Sequence, residues 1–172
     1  MPKVKDSKGQ IYLITNPLKI TRLNQKQIIE YSQKDPLVKK FTHDHTRFKD
    51  LSSINRWYQK GKRVYFLIRP RNKLVGLIWF GKSKLNRSDL KAPNFTFAIR
   101  IYQPARGLGL SEKFFTVAYK DFLKKVGSEN LKYKGLWLKT NRKNRVALHL
   151  YQKLRFKVLR KTNEELFMVL RE

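Results

Sequence analysis

Cysteine is absent from this chain, which removes disulfide frameworks, thiolate metal sites and cysteine nucleophiles together. Acidic residues are scarce: 12 Asp and Glu stand against 40 Lys and Arg, a formal net charge of +28 on 172 residues. Long apolar runs are missing as well. The longest, Leu74 to Gly81, is far too short to cross a bilayer as a helix. The polar start, Met1 to Gln10, has no apolar core of the kind a secretory leader needs. Only three histidines are present, and two of them flank a single aspartate in His43-Asp44-His45, a poor set for holding a metal. No metal site is expected. No repeat, low-complexity segment or Gly/Ser/Pro-rich linker divides the chain.

What is present fits a folded, cytoplasmic protein of one domain over residues 1–172, with no membrane partner. Apolar residues make up 41% and aromatics 13%, enough to bury a sizeable core at this length. The charge draws polyanions, so RNA or the ribosome is a candidate partner, as is a phosphorylated cofactor. A proteome-wide basic bias explains the same number, because the cations are spread along the chain and form no dedicated arm. Homodimer formation is left open.

Patterning gives a coarse element order of β-α-α-β-β-β-α-β-α-β-β. Leu18 to Leu23 alternates like a half-buried strand, and Asn24 can cap a helix over 25–33 that Asp35-Pro36 breaks. A second helix is expected over 52–59, ended by Gly61. Arg63 to Pro70 and Lys73 to Phe80 read as a hairpin turning near Arg71-Asn72, and 81–94 as a loop. Phe95 to Tyr102 is the next strand. Leu110, Phe114, Ala118, Phe122 and Val126 then recur every four residues, the stripe of an amphipathic helix. Leu136 to Lys139 is a short buried strand. A helix follows from Asn141 or Asn144, and 156–159 with 165–170 close the chain as a hairpin.

Between the strand and the amphipathic helix lies Arg106-Gly107-Leu108-Gly109-Leu110-Ser111. A glycine-bearing turn at a helix N-terminus gathers unpaired amides and the positive end of the helix dipole, an arrangement that binds anions. Glycines let a diphosphate approach the main chain and supply positive φ. A dinucleotide fingerprint would need glycine at Glu112, and a P-loop would need Gly-Lys-Ser/Thr; this loop has neither. Downstream, Asn144, Ala147 and Tyr151 fall one turn apart on one helical face, followed by Phe156.

These two segments resemble the two cofactor-binding motifs of the GCN5-related N-acetyltransferase (GNAT) superfamily. The resemblance covers residues 95–156 best, while residues 1 to about 60 carry no diagnostic motif. It implies an α/β (α+β) fold: a mixed, mostly antiparallel sheet of six to seven strands flanked by about four helices. It implies acetyl-CoA as co-substrate and a primary amine, on a small molecule or a protein, as acceptor. An RNA-linked amine, or a non-catalytic grip on nucleic acid or the ribosome, is the alternative. By resemblance, Arg106, Gly107, Leu108, Gly109, Leu110 and Ser111 hold the diphosphate, and backbone groups at Ile99 and Ile101 pair with pantetheine across a gap between splayed strands. Asn144 adds an amide to the pantetheine, and Tyr151 protonates the departing thiolate. Two departures stand out. Arg155 occupies a position where the motif usually has glycine, and the strand over 95–101 lacks the glutamate that serves many relatives as general base. Only Asp35, Asp44, Asp50 and Asp89 lie between Ser32 and Arg106, too few for a strongly acidic acceptor pocket.

Overall fold

The computed structural model describes residues 1–86 and 91–171, so Asp89 and the middle of the 81–94 segment lie outside the described residues. Eight strands follow one another across a mixed sheet in the order β1-β2-β3-β4-β5-β6-β8-β7. They are β1 (Lys3–Lys5), β2 (Ile11–Thr15), β3 (Arg63–Arg69), β4 (Lys73–Lys82), β5 (Phe95–Ile101), β6 (Leu136–Asn141), β7 (Lys157–Lys161) and β8 (Glu165–Leu170). Six α-helices accompany them: α1 (Arg22–Lys34), α2 (Pro36–Phe41), α3 (Asp44–Arg47), α4 (Leu51–Tyr58), α5 (Leu110–Ser128) and α6 (Arg145–Lys153). The sheet thus has one or two strands more than the sequence suggests. The chain falls into two compact units, Met1–Trp79 with Ile99–Ala118, and Phe80–Ala98 with Tyr119–Glu172.

In the first unit the sequence pattern misleads over 18–24, and Asn24, expected as the helix cap, lies inside α1. Residues 18–21 form no strand: Leu18 is 94% exposed, and Thr21 accepts from the Asn24 amide to cap α1. The missing strands lie earlier, as the β1–β2 hairpin, where Lys3 pairs with Leu13 and Lys5 with Ile11. Asp6 holds its turn, accepting from the Lys8 and Gln10 amides and the Tyr12 hydroxyl. Burial opposes ionisation of Asp6, but those donors outweigh it and keep the carboxyl below the usual range. Asp35 is a helix cap as well as a break: its carboxylate accepts from the Leu37 and Val38 amides, and Pro36 opens α2. Asp50 caps α4 through the Ser53 amide. The β3–β4 turn carries Arg71 and Asn72 at φ 64° and 53°, the two left-handed residues a tight hairpin turn demands. Phe48, Trp57 and Trp79 meet edge to face, with Phe48–Trp57 centroids at 4.9 Å and Trp57–Trp79 at 5.3 Å.

In the second unit, Phe122 of α5 stacks on Phe80 at 4.3 Å and meets the edge of Phe95 at 5.2 Å. β6 and β8 run antiparallel in full register from Leu136↔Leu170 to Asn141↔Glu165. Gly135 enters β6 at φ +113°, and a Cβ there would lie 2.6 Å from the Leu170 carbonyl oxygen, so no other residue fits. The parallel ladder of β5 with β6 pairs Phe95 with Leu136 and Thr96 with Trp137, at the starts of both strands. The β6–β8 ladder, by contrast, occupies the whole of β6.

Candidate functional site

The glycine loop belongs to the first unit. β5 ends at Ile101, a 3-10 turn covers Gln103–Ala105, and α5 begins at Leu110. Gly107 and Gly109 take φ +73° and +69°, as the sequence anticipates. A Cβ built on either would meet nothing within 4 Å, so conformation and not crowding demands glycine, and the space in front of the backbone is open. The amides of Gly107, Leu108 and Gly109 find no acceptor among the described residues, and those of Leu110 and Ser111 open a helix. Leu110 is buried and anchors the helix start in the core. Glu112 supplies the acid that the first turn of α5 favours. The loop is held from behind: the Leu108 carbonyl accepts from the Ser7 amide at 3.1 Å, and Lys113 Nζ donates to the Lys5 carbonyl at 2.8 Å. An anion bound here would find a row of amides on a braced turn, which fits the diphosphate of coenzyme A.

Arg106 sits beside this row but points elsewhere. It donates from Nη2 to Asp35 Oδ2 at 2.6 Å and from Nε to the Ile101 carbonyl at 3.0 Å. Asp35 is 2% exposed, and the same carboxylate caps α2. One ion pair therefore ties the α1–α2 junction to the root of the glycine loop. The Ile99 carbonyl also already accepts from an arginine, Arg100 Nη1, at 2.9 Å.

The His43-Asp44-His45 segment is the largest departure from expectation. Asp44 is fully buried, accepting from Arg100 Nε at 2.6 Å and Arg100 Nη2 at 3.2 Å, and also pairing with Arg47. Burial alone would raise its pKa; Arg100 first, then Arg47, reverses that and holds the carboxyl below the usual range. Both guanidiniums lie over the Trp79 ring, at 5.0 and 5.6 Å. No group of His, Asp or Glu fit to hold a metal occurs among the described residues. Nearby, Tyr102 stacks on Tyr31 at 4.2 Å and is fully buried, and its hydroxyl and Trp57 Nε1 lack a hydrogen-bond partner among the described residues. Burial holds the Tyr102 hydroxyl protonated far above its ordinary range. β5 thus offers an arginine where a base was sought, and the carboxylate facing it is too strongly paired to take a proton near neutral pH.

The second unit carries Asn144, Ala147 and Tyr151. Asn144 caps α6, its Oδ1 accepting from the Ala147 amide at 3.2 Å. Tyr151 is buried, with Phe97 edge-on at 5.9 Å and Phe156 at 5.9 Å. The helix keeps the left-handed close that a glycine would make, even with Arg155 there. Arg155 takes φ 65°, its amide donates to the Gln152 carbonyl, and the Phe156 amide donates to the Tyr151 carbonyl. That is a Schellman close made without glycine, at a strain of about 1 kcal/mol. His149 is exposed, away from Tyr151.

Sequence reasoning missed Ser7, Asp35, Asp44 and Arg100 as parts of this frame. An Asp-Pro pair is a cap-and-N1 signature that could have revealed Asp35. Nothing local signals that Asp44 meets Arg100.

No protein-family model matches the chain, and no curated protein matches it by sequence. Solved structures do match. A GNAT-family acetyltransferase from Listeria monocytogenes is 15% identical with a TM-score of 0.67, covering 99% of this chain and 100% of that one. The GNAT domain of S. lividans PAT is 9% identical with a TM-score of 0.73, covering 99% and 96%. Campylobacter jejuni N-acetyltransferase PseH, solved with acetyl coenzyme A, is 16% identical with a TM-score of 0.56, covering 94% and 99%. The chain has the GNAT fold.

Proposed function

We propose that this protein is an acetyl-CoA-dependent N-acetyltransferase that transfers an acetyl group to a primary amine by direct attack on the thioester. The observation that carries the proposal is the Gly107–Ser111 turn, with its positive-φ glycines and amides that meet no acceptor among the described residues at the head of α5. In this reading the turn holds the diphosphate. Backbone amides at Ile99 and Ile101 face the pantetheine and the developing oxyanion. The neutral amine attacks the carbonyl carbon, the C–S bond breaks, and Tyr151 gives its proton to the leaving thiolate. A tyrosine of pKa ~10 suits a donor to a thiolate of comparable basicity. Asn144 supports this geometry as the cap that fixes the start of α6. Arg106 serves the turn through Asp35 and the Ile101 carbonyl.

The acceptor sheds its proton to water, since Asp44 is committed to two arginines. Asp35, Asp44 and Asp50 are all engaged by arginines or helix amides. The described carboxylates between α1 and β5 therefore offer nothing to a polycation. The Arg47 and Arg100 guanidiniums over Trp79 are cationic, which suits an acceptor carrying a carboxylate beside its amine. Amine-dependent release of free thiol from acetyl-CoA tests this. Amino acids and peptide N-termini should be acetylated in preference to spermidine or putrescine; preference for the polyamines would refute the acceptor assignment.

A further inference from the structure

The cations are spread along the chain, but the acids are not. Between Leu131 and Thr162 there are eleven Lys and Arg and no Asp or Glu. A second acid-free stretch, 51–88, is different in kind, because β3 and β4 are largely buried and their cations sit at turns. The stretch over 131–162 is carried on surface. β7 is an edge strand, and all five of its residues, Lys157-Val158-Leu159-Arg160-Lys161, are exposed. The outer stripe of α6, Arg145, Val146, His149, Gln152 and Lys153, is exposed as well, and the helix leads straight into β7 through Arg155. An ion pair, Lys139 with Glu165 at 2.9 Å, lies beyond the end of β7.

From this we infer that the α6 outer stripe and the β7 edge form a docking face for RNA, gripped through its phosphate backbone without regard to sequence. β7 bulges between Val158 and Arg160, so Lys157 and Arg160, opposite Val169 and Phe167, share one side of the strand and form a spaced pair of cations ~7 Å apart, with Lys161 on the other side. A row of cations with no intervening acid suits a polymer with regularly repeated negative charge. The field of a +28 chain adds attraction that a short acidic peptide, with few charges, exploits less. The exposed apolar residues are three, Val146 and the adjacent Val158 and Leu159, too few for a lipid surface. This face is independent of the acetyltransferase reading.

The test removes charge from the face without touching the glycine loop or Tyr151. Arg145, Lys157 and Arg160 are replaced together by glutamine. Arg145 opposes the dipole in the first turn of α6, so its loss does not weaken the helix. The control removes the same charge from the other unit, at exposed Lys19, Lys26 and Lys39, also to glutamine. Binding to unstructured polyuridylate is measured by anisotropy from ~0.05 to ~0.5 M NaCl, with melting temperatures confirming that both variants fold. The wild type should bind with a steep salt slope. The face variant should lose about 2 from that slope, and about a hundredfold in affinity at ~0.1 M if the 1 M intercept is unchanged. The control should keep most of both. Equal losses in the two variants would mean a diffuse field and no face. Failure of the wild type to bind at low salt, or an effect on phosphatidylserine vesicles or polyglutamate but not on RNA, would overturn the inference. In that event the edge lysines act only to block strand pairing.

Discussion

Replacing Asp44 with asparagine should destabilise the protein by about 3–5 kcal/mol, the range seen when one partner of a buried ion pair is removed. Asp44 is fully buried and is the acceptor for Arg100, itself only 15% exposed on its side chain, and for Arg47. Asparagine keeps the shape and removes the charge, leaving a buried guanidinium on β5 without its counter-ion. For a chain of this size such a loss lowers the melting temperature by roughly 6–20 °C. The expected effect depends on pH with a definite sign. The folded pKa of Asp44 lies below its unfolded value of ~3.9. Its ionic contribution is therefore complete above about pH 4 and is lost as pH falls through the lowered folded value. Melting curves of both proteins should differ most near neutrality and draw together in acid. A gap that stays constant down to pH 2 would mean the charge is not what the site provides.

Replacing Tyr151 with phenylalanine should reduce turnover about 10²–10⁴-fold while leaving the affinity for acetyl-CoA nearly unchanged. The ring is held by Phe97 and Phe156, contacts that phenylalanine preserves. What is lost is the hydroxyl and its proton. A structural role would instead appear as a lower melting temperature with turnover largely retained, and a fully active variant would remove Tyr151 from the chemistry. Thiol release measured with saturating amine separates these results.

How much of this was legible beforehand varies along the chain. Gly107 and Gly109 were readable because a glycine pair between a β-rich run and a helical stripe has few uses, and both take the positive φ anticipated. Arg155 was visible as a departure from the motif's glycine, but that it would keep the left-handed geometry was not. The segment 18–23 deceived because alternation over six residues also fits an exposed linker and a Thr cap. Asp44 was opaque for a deeper reason. A carboxylate between two histidines looks solvated until the chain brings it to an arginine 56 residues away. Arg106 carried the expected charge, yet a buried aspartate engages its guanidinium. Pairwise partners of this sort live in tertiary geometry, and single-sequence pattern records only the periodicity of elements.

Titration of acetyl-CoA against thermal unfolding of the unmodified protein tests the core of the account most directly. A ligand that binds only the folded state at about 100 times its Kd adds about 2.7 kcal/mol, which for this length raises the melting temperature by roughly 5–10 °C. That rise is expected with acetyl-CoA, and adenosine, which lacks the diphosphate, should produce none. A melting temperature indifferent to millimolar acetyl-CoA would contradict the assignment of the Gly107–Ser111 amides to a coenzyme A diphosphate.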